Sequence, residues 1–151
     1  MITGFDHMGL VVRDVEKQKT FYRDILELQV LHEREVLAPP TGDHTGIPGV
    51  RRKLIFLGNA KGEELLELVH YIEPPSPMGQ PLYPNQVNSI HLCFNIVNLQ
   101  NHYRELSNKG VRFLTPPKVI EGPGGVSVCL CYAQDPEGNW LELKEVLSDK
   151  I

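Results

Sequence analysis

The sequence predicts an α+β fold made of two similar βαβββ modules, and three observations carry that prediction. An internal repeat comes first: the run from His7 to Asp14 (HMGLVVRD) resembles the run from His91 to Asn98 (HLCFNIVN). Each copy also closes with a glutamate inside a Leu-Glu-Leu strand, at Glu67 and at Glu142. The composition agrees, because 41% apolar and 23% charged residues in a chain of 151 are typical of a folded domain that buries its own core.

Strands are predicted where β-branched and aromatic residues cluster or alternate with polar ones. In the first module they run over 5–12, 29–35, 51–57 and 64–71, and in the second over 89–96, 111–114, 126–133 and 140–146. The residues at 135–139 (DPEGN) are those that favour a turn, and they separate the last two strands.

One helix follows the first strand of each module. Asp14 and Asn98 are typical N-cap residues, because their side-chain oxygens accept hydrogen bonds from the free N–H groups of a first helical turn. Apolar residues then recur at helical spacing, and Gly110 is expected to end the second helix. Each module therefore reads as strand, helix and three further strands.

Two long segments fit neither helix nor strand. The segment 37–49 is rich in Pro and Gly and is long enough for a functional surface loop. The segment 73–86 carries five prolines and predicts a stiff linker. We therefore expect a single domain over 1–151, with module one at 1–72, the linker at 73–86 and module two at 87–151.

Composition excludes several classes of protein. With 15 Lys and Arg against 19 Asp and Glu, the net charge is −4, which disfavours binding to nucleic acid. No apolar run approaches the roughly 18 to 20 residues that a membrane helix needs, so we expect no membrane association. The first residues have neither the basic flank nor the apolar stretch of a secretory signal, so a cytoplasmic protein is expected.

The three cysteines predict neither a disulfide framework nor a zinc knuckle. Their number is odd, and Cys129 and Cys131 have the spacing of one strand face rather than the C-x-x-C spacing of a metal or redox motif. We expect these two residues and Cys93 to be buried as small hydrophobic side chains.

Strand alternation predicts a cluster of metal-ligating residues. His7, Glu67, His91 and Glu142 all occupy positions opposite to the apolar positions of their strands, so they face away from the helices. If the two sheets curl toward one another, that face becomes a cavity wall. Two imidazoles and two carboxylates suit Zn, Ni, Co, Mn or Fe. Such a metal would polarise a substrate oxygen while a carboxylate moves a proton on the adjacent carbon.

The sequence resembles the vicinal oxygen chelate superfamily, which includes glyoxalase I, methylmalonyl-CoA epimerase, extradiol dioxygenases and bleomycin-binding proteins. The shared motifs are D-H-x-G-L-x-V-x-D at 6–14, the Phe21-Tyr22 pair, His91, and the turn at 135–139 that leads into the Leu-Glu-Leu strand. The resemblance covers nearly the whole chain and implies paired βαβββ modules that form a cupped mixed sheet around a metal-binding cavity. It implies the metal ligands His7, Glu67, His91 and Glu142, with Glu142 or Glu67 as the catalytic proton carrier.

The complete ligand set is most similar to the glyoxalase and epimerase branches. The predicted function is therefore a divalent-metal-dependent isomerase or lyase that transfers a proton next to the carbonyl or enediolate oxygen of a small molecule. One difference is that methylmalonyl-CoA epimerases tend to carry Gln where Glu67 stands. Two alternatives stay open: an Fe(II) extradiol-type dioxygenase, and a drug-binding resistance protein without catalysis.

Three further residues are predicted to contact the substrate. They are His44 in the long loop, Arg51 where that loop enters a strand, and Tyr132 on a strand of the second module. The resemblance also implies a homodimer. The sequence leaves open whether the four metal ligands come from one chain or from two.

Overall fold

A mixed β-sheet forms in each half of the chain. The computed structural model describes residues 1–77 and 79–147. The chain divides into two units, Met1–Gly79 and Gln80–Ile151. In the part of the chain that the structure describes, no helix is both long and apolar enough to cross a membrane.

The first unit contains four strands and one helix. They are β1 (Met8–Val11), α1 (Val15–Thr20), which continues as a π-helical turn (Phe21–Ile25), β2 (Gln29–Leu37), β3 (Arg51–Gly58) and β4 (Glu64–Glu73). The strand order is β1-β4-β3-β2. β1 runs parallel to β4, whereas the other neighbours are antiparallel. The helix α1 contacts β4.

The second unit repeats this plan with an extra short strand. Its elements are β5 (His91–Asn95), α2 (Leu99–Asn108), β6 (Arg112–Phe113), β7 (Lys118–Glu121), β8 (Ser127–Gln134) and β9 (Trp140–Val146). The order is β5-β9-β8-β6, and β7 also pairs with β8. As in the first unit, the first strand is parallel to the last, and α2 contacts that last strand. The predicted α+β class is confirmed.

In both closing strands, a glutamate lies on the face opposite to two buried leucines. In β4, the buried side chains of Leu66 and Leu68 flank the partly exposed Glu67. In β9, the buried Leu141 and Leu143 flank Glu142 in the same way. The alternation predicted from the sequence is therefore present, because a strand with one covered face must bury every second side chain.

The two helices begin in different ways. The Asp14 side chain accepts a hydrogen bond from the Lys17 backbone N–H at 3.0 Å, as predicted. Asn98 is in the left-handed region, with φ 60°, and its side chain makes no cap. Instead the Glu145 carboxylate of β9 accepts from the backbone N–H groups of Asn98 (2.7 Å) and Leu99 (3.0 Å).

The prediction that Asn98 caps α2 through its side chain is therefore wrong. A full negative charge that accepts two N–H groups also interacts favourably with the positive end of the helix dipole, which a neutral amide does not.

Two other predictions need correction. β1 begins at Met8, not at Phe5, because its parallel pairing with β4 starts at the Met8–Leu66 pair, and Phe5 is exposed. Cys129 and Cys131 are buried, but Cys93 is exposed. Cys93 shares a strand face with His91, away from the buried Leu92, so it does not contribute to the core.

Candidate functional site

In the first unit, His7 lies beside Glu67. The register of β1 and β4 pairs Gly9 with Glu67, and His7 stands directly before β1. The Nε2 atom of His7 is 3.4 Å from Glu67 Oε2. The opposite ring nitrogen, Nδ1, is 2.9 Å from Asp6 Oδ2 and 3.1 Å from Glu64 Oε1. The imidazole is thus surrounded by three carboxylates.

These carboxylates shift the pKa of the imidazole. Burial lowers the pKa of His7, but the hydrogen bond to Asp6 and the negative charges of Glu67 and Glu64 outweigh it. The pKa of His7 is therefore raised above its ordinary value, because the protonated ring is stabilised by its acidic neighbours.

In the second unit, His91 lies beside Glu142. The His91 Nε2 atom is 2.9 Å from Glu142 Oε2. Tyr132 of β8 is the register partner of Glu142, and its ring stands edge-on to the His91 ring with centroids 5.3 Å apart. Burial, followed by the charge of Glu142, raises the pKa of Tyr132, so its hydroxyl stays protonated at neutral pH.

The same imidazole and carboxylate pair thus occurs once in each unit, and its geometry suits a metal. Two ligand atoms on one cation at about 2.0–2.2 Å each are separated by about 2.8–3.6 Å, which matches both observed Nε2 to Oε2 distances. The glutamates are shielded, with side chains 17% exposed at Glu67 and 15% at Glu142. Imidazole nitrogen and carboxylate oxygen form the donor set that Zn, Ni, Co, Mn and Fe accept.

A second group of possible ligands overlaps the first pair. Asp6, His7 and Glu64 offer ligand atoms that all lie within 4.8 Å of one another. This group uses the Nδ1 side of His7, whereas Glu67 faces the Nε2 side. Asp6 is exposed, so its carboxylate is well hydrated and a weaker candidate than the shielded Glu67.

A cavity of about 450 Å³ opens on the Glu67 face of the first sheet. The residues that line it are Gly9, Val11, Arg34, Val36, Asp43, His44, Thr45, Arg52, Leu54, Glu67, Val69 and Tyr71. They include side chains from all four strands and three residues of the loop between β2 and β3. That loop is closed by backbone hydrogen bonds from Ala38 N to Val50 O (2.8 Å) and from Gly49 N to Pro39 O (3.0 Å).

The sequence profile of the Glyoxalase/Bleomycin resistance protein/Dioxygenase superfamily matches residues 4–143. The chain belongs to this superfamily. The mouse mitochondrial methylmalonyl-CoA epimerase is 31% identical over 141 residues, which is 93% of this chain and 71% of the mouse protein. A probable lactoylglutathione lyase from Synechocystis is 25% identical over 149 residues, covering 95% of this chain and 96% of the lyase.

Solved structures of superfamily members share the fold. A glyoxalase family protein from Bacillus cereus superposes with a TM-score of 0.82 at 19% identity, covering 98% of this chain and 97% of that protein. The trypanothione-dependent glyoxalase I of Leishmania major gives 0.63 at 19% identity, covering 95% and 87%. The resemblance inferred from the motifs is confirmed at the level of the superfamily and its fold.

The three residues predicted from the sequence to contact the substrate lie in different parts of the structure. His44 is exposed and lines the cavity of the first unit, together with Glu67. Tyr132 lies against His91 in the second unit. Arg51 is exposed and is not among the cavity-lining residues, whereas its neighbour Arg52 lines the cavity and is buried.

The sequence prediction named Arg51 at the start of β3, whereas the residues that line this cavity are Arg52 and Arg34, neither of which was predicted. Arg52 is two and four residues before Leu54 and Phe56, so all three side chains lie on the same face of β3. Both faces of β3 are buried from Leu54 to Leu57, however, so the strand shows no alternation from which to choose a face. The register with β4, in which Arg52 pairs with Tyr71, determines which face of β3 lines the cavity.

Proposed function

We propose that the protein is a divalent-metal-dependent isomerase or lyase of the glyoxalase and epimerase type. The observation that carries the proposal is the repeated imidazole and carboxylate pair, His7 with Glu67 and His91 with Glu142, in a chain whose relatives are named as an epimerase and a lyase. The reaction class is proton transfer at a carbon next to a carbonyl or enediolate oxygen of a small molecule.

His7, Glu67, His91 and Glu142 would hold one cation, either Zn, Ni, Co, Mn or Fe. When bound, the cation acts as a Lewis acid that polarises the substrate oxygen and makes the adjacent C–H bond more acidic. Each His offers Nε2, the ring nitrogen that faces its glutamate. At His7, the carboxylates of Asp6 and Glu64 lie at Nδ1, where they fix the ring orientation and the tautomer that leaves Nε2 free to bind.

Glu67 or Glu142 carries the proton. A carboxylate oxygen removes the proton from the substrate carbon and returns it to the product. Both side chains are largely shielded from water, which slows exchange of the carried proton with solvent. Tyr132 stands beside His91, where its protonated hydroxyl can donate a hydrogen bond to a substrate oxygen.

Metal analysis of protein purified without a metal-affinity tag tests the proposal. We expect about one equivalent of a divalent metal in the wild type and its loss in His7→Ala and His91→Ala. The matched control is His102→Ala, because His102 lies on α2 and pairs with Glu105 at 3.8 Å, whereas the two proposed ligands of its unit lie on β5 and β9. If the wild type takes up no metal under any reconstitution, the catalytic proposal fails and a binding protein remains.

Turnover assays then assign the proton carrier. The first substrates are those named by the relatives, methylmalonyl-CoA and lactoylglutathione, followed in deuterated water so that exchange at carbon is detected. Glu67→Gln and Glu142→Gln each keep an oxygen ligand but remove the basic carboxylate. The variant that retains metal yet loses turnover identifies the carrier. Iron in the purified protein together with oxygen uptake would instead support the dioxygenase alternative.

Three expectations from the sequence stay predictions. The homodimer is tested by light scattering at several protein concentrations, and the module boundaries at 72 and 87 by limited proteolysis. The mouse relative is mitochondrial by name, so the cytoplasmic location needs a localisation experiment of its own.

A further inference from the structure

Two arginines occupy neighbouring positions on the cavity face of the first sheet. Arg34 of β2 is paired in register with Leu54, and Arg52 of β3 is paired with Val36. The two arginines are therefore diagonal cross-strand neighbours, whose Cβ atoms lie about 7–8 Å apart in such sheets. Both side chains line the cavity that also contains Glu67.

Arg52 is buried but only partly hydrogen-bonded. The residue is 4% exposed, and one terminal nitrogen donates to Asp43 Oδ2. Its Nε atom has no hydrogen-bond partner among the residues that the structure describes. A buried guanidinium with few acceptors is costly, so an anionic ligand in the cavity that Arg52 lines would stabilise its charge.

The loop between β2 and β3 holds Asp43 rigidly against Arg52. Asp43 Oδ1 accepts hydrogen bonds from the backbone N–H of Thr45 (2.9 Å) and from its hydroxyl (2.6 Å). These bonds come first among the causes that keep the pKa of Asp43 below its ordinary value, and the charge of Arg52 adds to them. Arg52 is thus presented in a fixed position, which reduces the entropy lost when a ligand binds.

Arg34 supplies a second guanidinium group to the cavity. Its guanidinium lies 5.4 Å from the centroid of the Phe56 ring, and no carboxylate of the described residues pairs with it. Asp43 pairs with Arg52, whereas the Arg34 guanidinium is left without a carboxylate partner among the described residues and is available to an anionic ligand. The planar oxygens of a carboxylate suit guanidinium groups. Asp43 and Glu67 line the same cavity, so a singly charged carboxylate is repelled less there than a dianionic phosphate.

We propose that Arg34 and Arg52 form a subsite for a carboxylate group of the substrate. The proposal deepens the function proposed above and rests on it for the reacting end of the substrate. Arg34 and Val69 both pair in register with Leu54, so they lie at the same height in the sheet. Val69 is the next residue after Glu67 on the same face of β4, and two such positions are about 7 Å apart along a strand. The substrate is then a small carbonyl compound whose carboxylate lies several bonds from the carbon that exchanges its proton.

Ligand titration of EDTA-treated protein, followed by NMR, tests the subsite without any contribution from a metal. The probes are glutarate, its uncharged diamide glutaramide, and inorganic phosphate. We expect glutarate to bind at least tenfold more tightly than the other two. We expect Arg34→Gln and Arg52→Gln each to weaken glutarate binding at least tenfold.

Two substitutions serve as controls. Arg104→Gln removes one exposed positive charge in α2, and Arg51→Gln removes the arginine next to the subsite that does not line the cavity. Both are expected to leave the affinity within twofold. If Arg52→Gln fails to fold, the exposed Arg34 still decides the test.

Equal binding of glutarate and glutaramide, preference for phosphate, or unchanged affinity in Arg34→Gln would overturn the subsite. Loss of metal binding with carboxylate binding retained would instead refute the catalytic proposal alone.

Discussion

The Glu145 carboxylate at the start of α2 offers a direct test of how the second unit holds its site. Glu145 lies on β9, the strand that also carries Glu142, and its two oxygens accept the backbone N–H groups of Asn98 and Leu99. We expect Glu145→Ala to destabilise the unit because both donors lose their acceptor. Loss of an N-cap costs about 0.5–2 kcal/mol, and the lost charge at the helix dipole adds about 0.3–1 kcal/mol.

The expected loss of unfolding free energy is therefore about 2 kcal/mol for Glu145→Ala. In a chain of this size that corresponds to a fall in Tm of roughly 4–8 °C. Glu145→Gln keeps an oxygen acceptor but not the charge, so its cost should be about half. Urea unfolding followed by far-UV circular dichroism measures the free energy, and hydrogen exchange of the Leu99 amide reports on the cap itself.

Glu105→Ala is the matched control, since Glu105 is an exposed acidic residue of the same helix. Its replacement should change the free energy of unfolding by no more than about 0.5 kcal/mol. The reasoning is refuted if Glu145→Ala costs no more than this control, or if the Leu99 amide exchanges at the same rate in the variant and the wild type.

Three further predictions concern a buried amide, acid stability and the support of His7. Gln18 is 0% exposed, and neither polar atom of its amide has a hydrogen-bond partner among the described residues. Gln18→Met should therefore raise the free energy of unfolding in urea by about 1–3 kcal/mol. Gln100→Met, at an exposed position, is the control and should not raise it. Hydrogen bonds from Lys19 and then Lys53 lower the pKa of Glu16 from 4.5 to about 2. Glu16 therefore stabilises the fold above pH 4.5 and loses this effect as the pH falls toward 2. Its side chain is 58% exposed, so each ion pair contributes only about 0.2–1 kcal/mol. The difference in urea midpoint between wild type and Glu16→Gln should therefore shrink as the pH falls from 4.5 toward 2. Glu64→Gln should weaken metal binding roughly 10–100-fold in a chelator competition, whereas Glu63→Gln, next to it in a turn, should not.

The repeat made the fold class and the orientation of the two glutamates in the closing strands predictable. Alternation of buried Leu66 and Leu68 around Glu67 is a local property, since successive side chains of any strand point to opposite faces. The same argument applies to Glu142 in β9. The pairing of each glutamate with a histidine of its own unit also follows, because the first and last strands of a βαβββ module lie side by side.

Contacts between residues far apart in the chain were not predictable in this way. Asn98 has the side chain of a helix cap, yet Glu145 takes that role from a strand that lies nearby only after folding. Arg51 and Arg52 are equivalent as sequence, and the choice between them depends on the face that β3 turns to the cavity. A strand buried on both faces carries no alternating pattern to show this.

The sequence by itself determined the superfamily, the α+β class and the two histidine and glutamate pairs, because each follows from a repeat or from the period of a strand. Only the tertiary structure decided that Arg34 and Arg52 share a cavity with Glu67, that Asp43 holds Arg52, and that acidic side chains surround His7. These features depend on strand register and on loop closure. Register arises from packing between segments distant in sequence, and no local pattern encodes it.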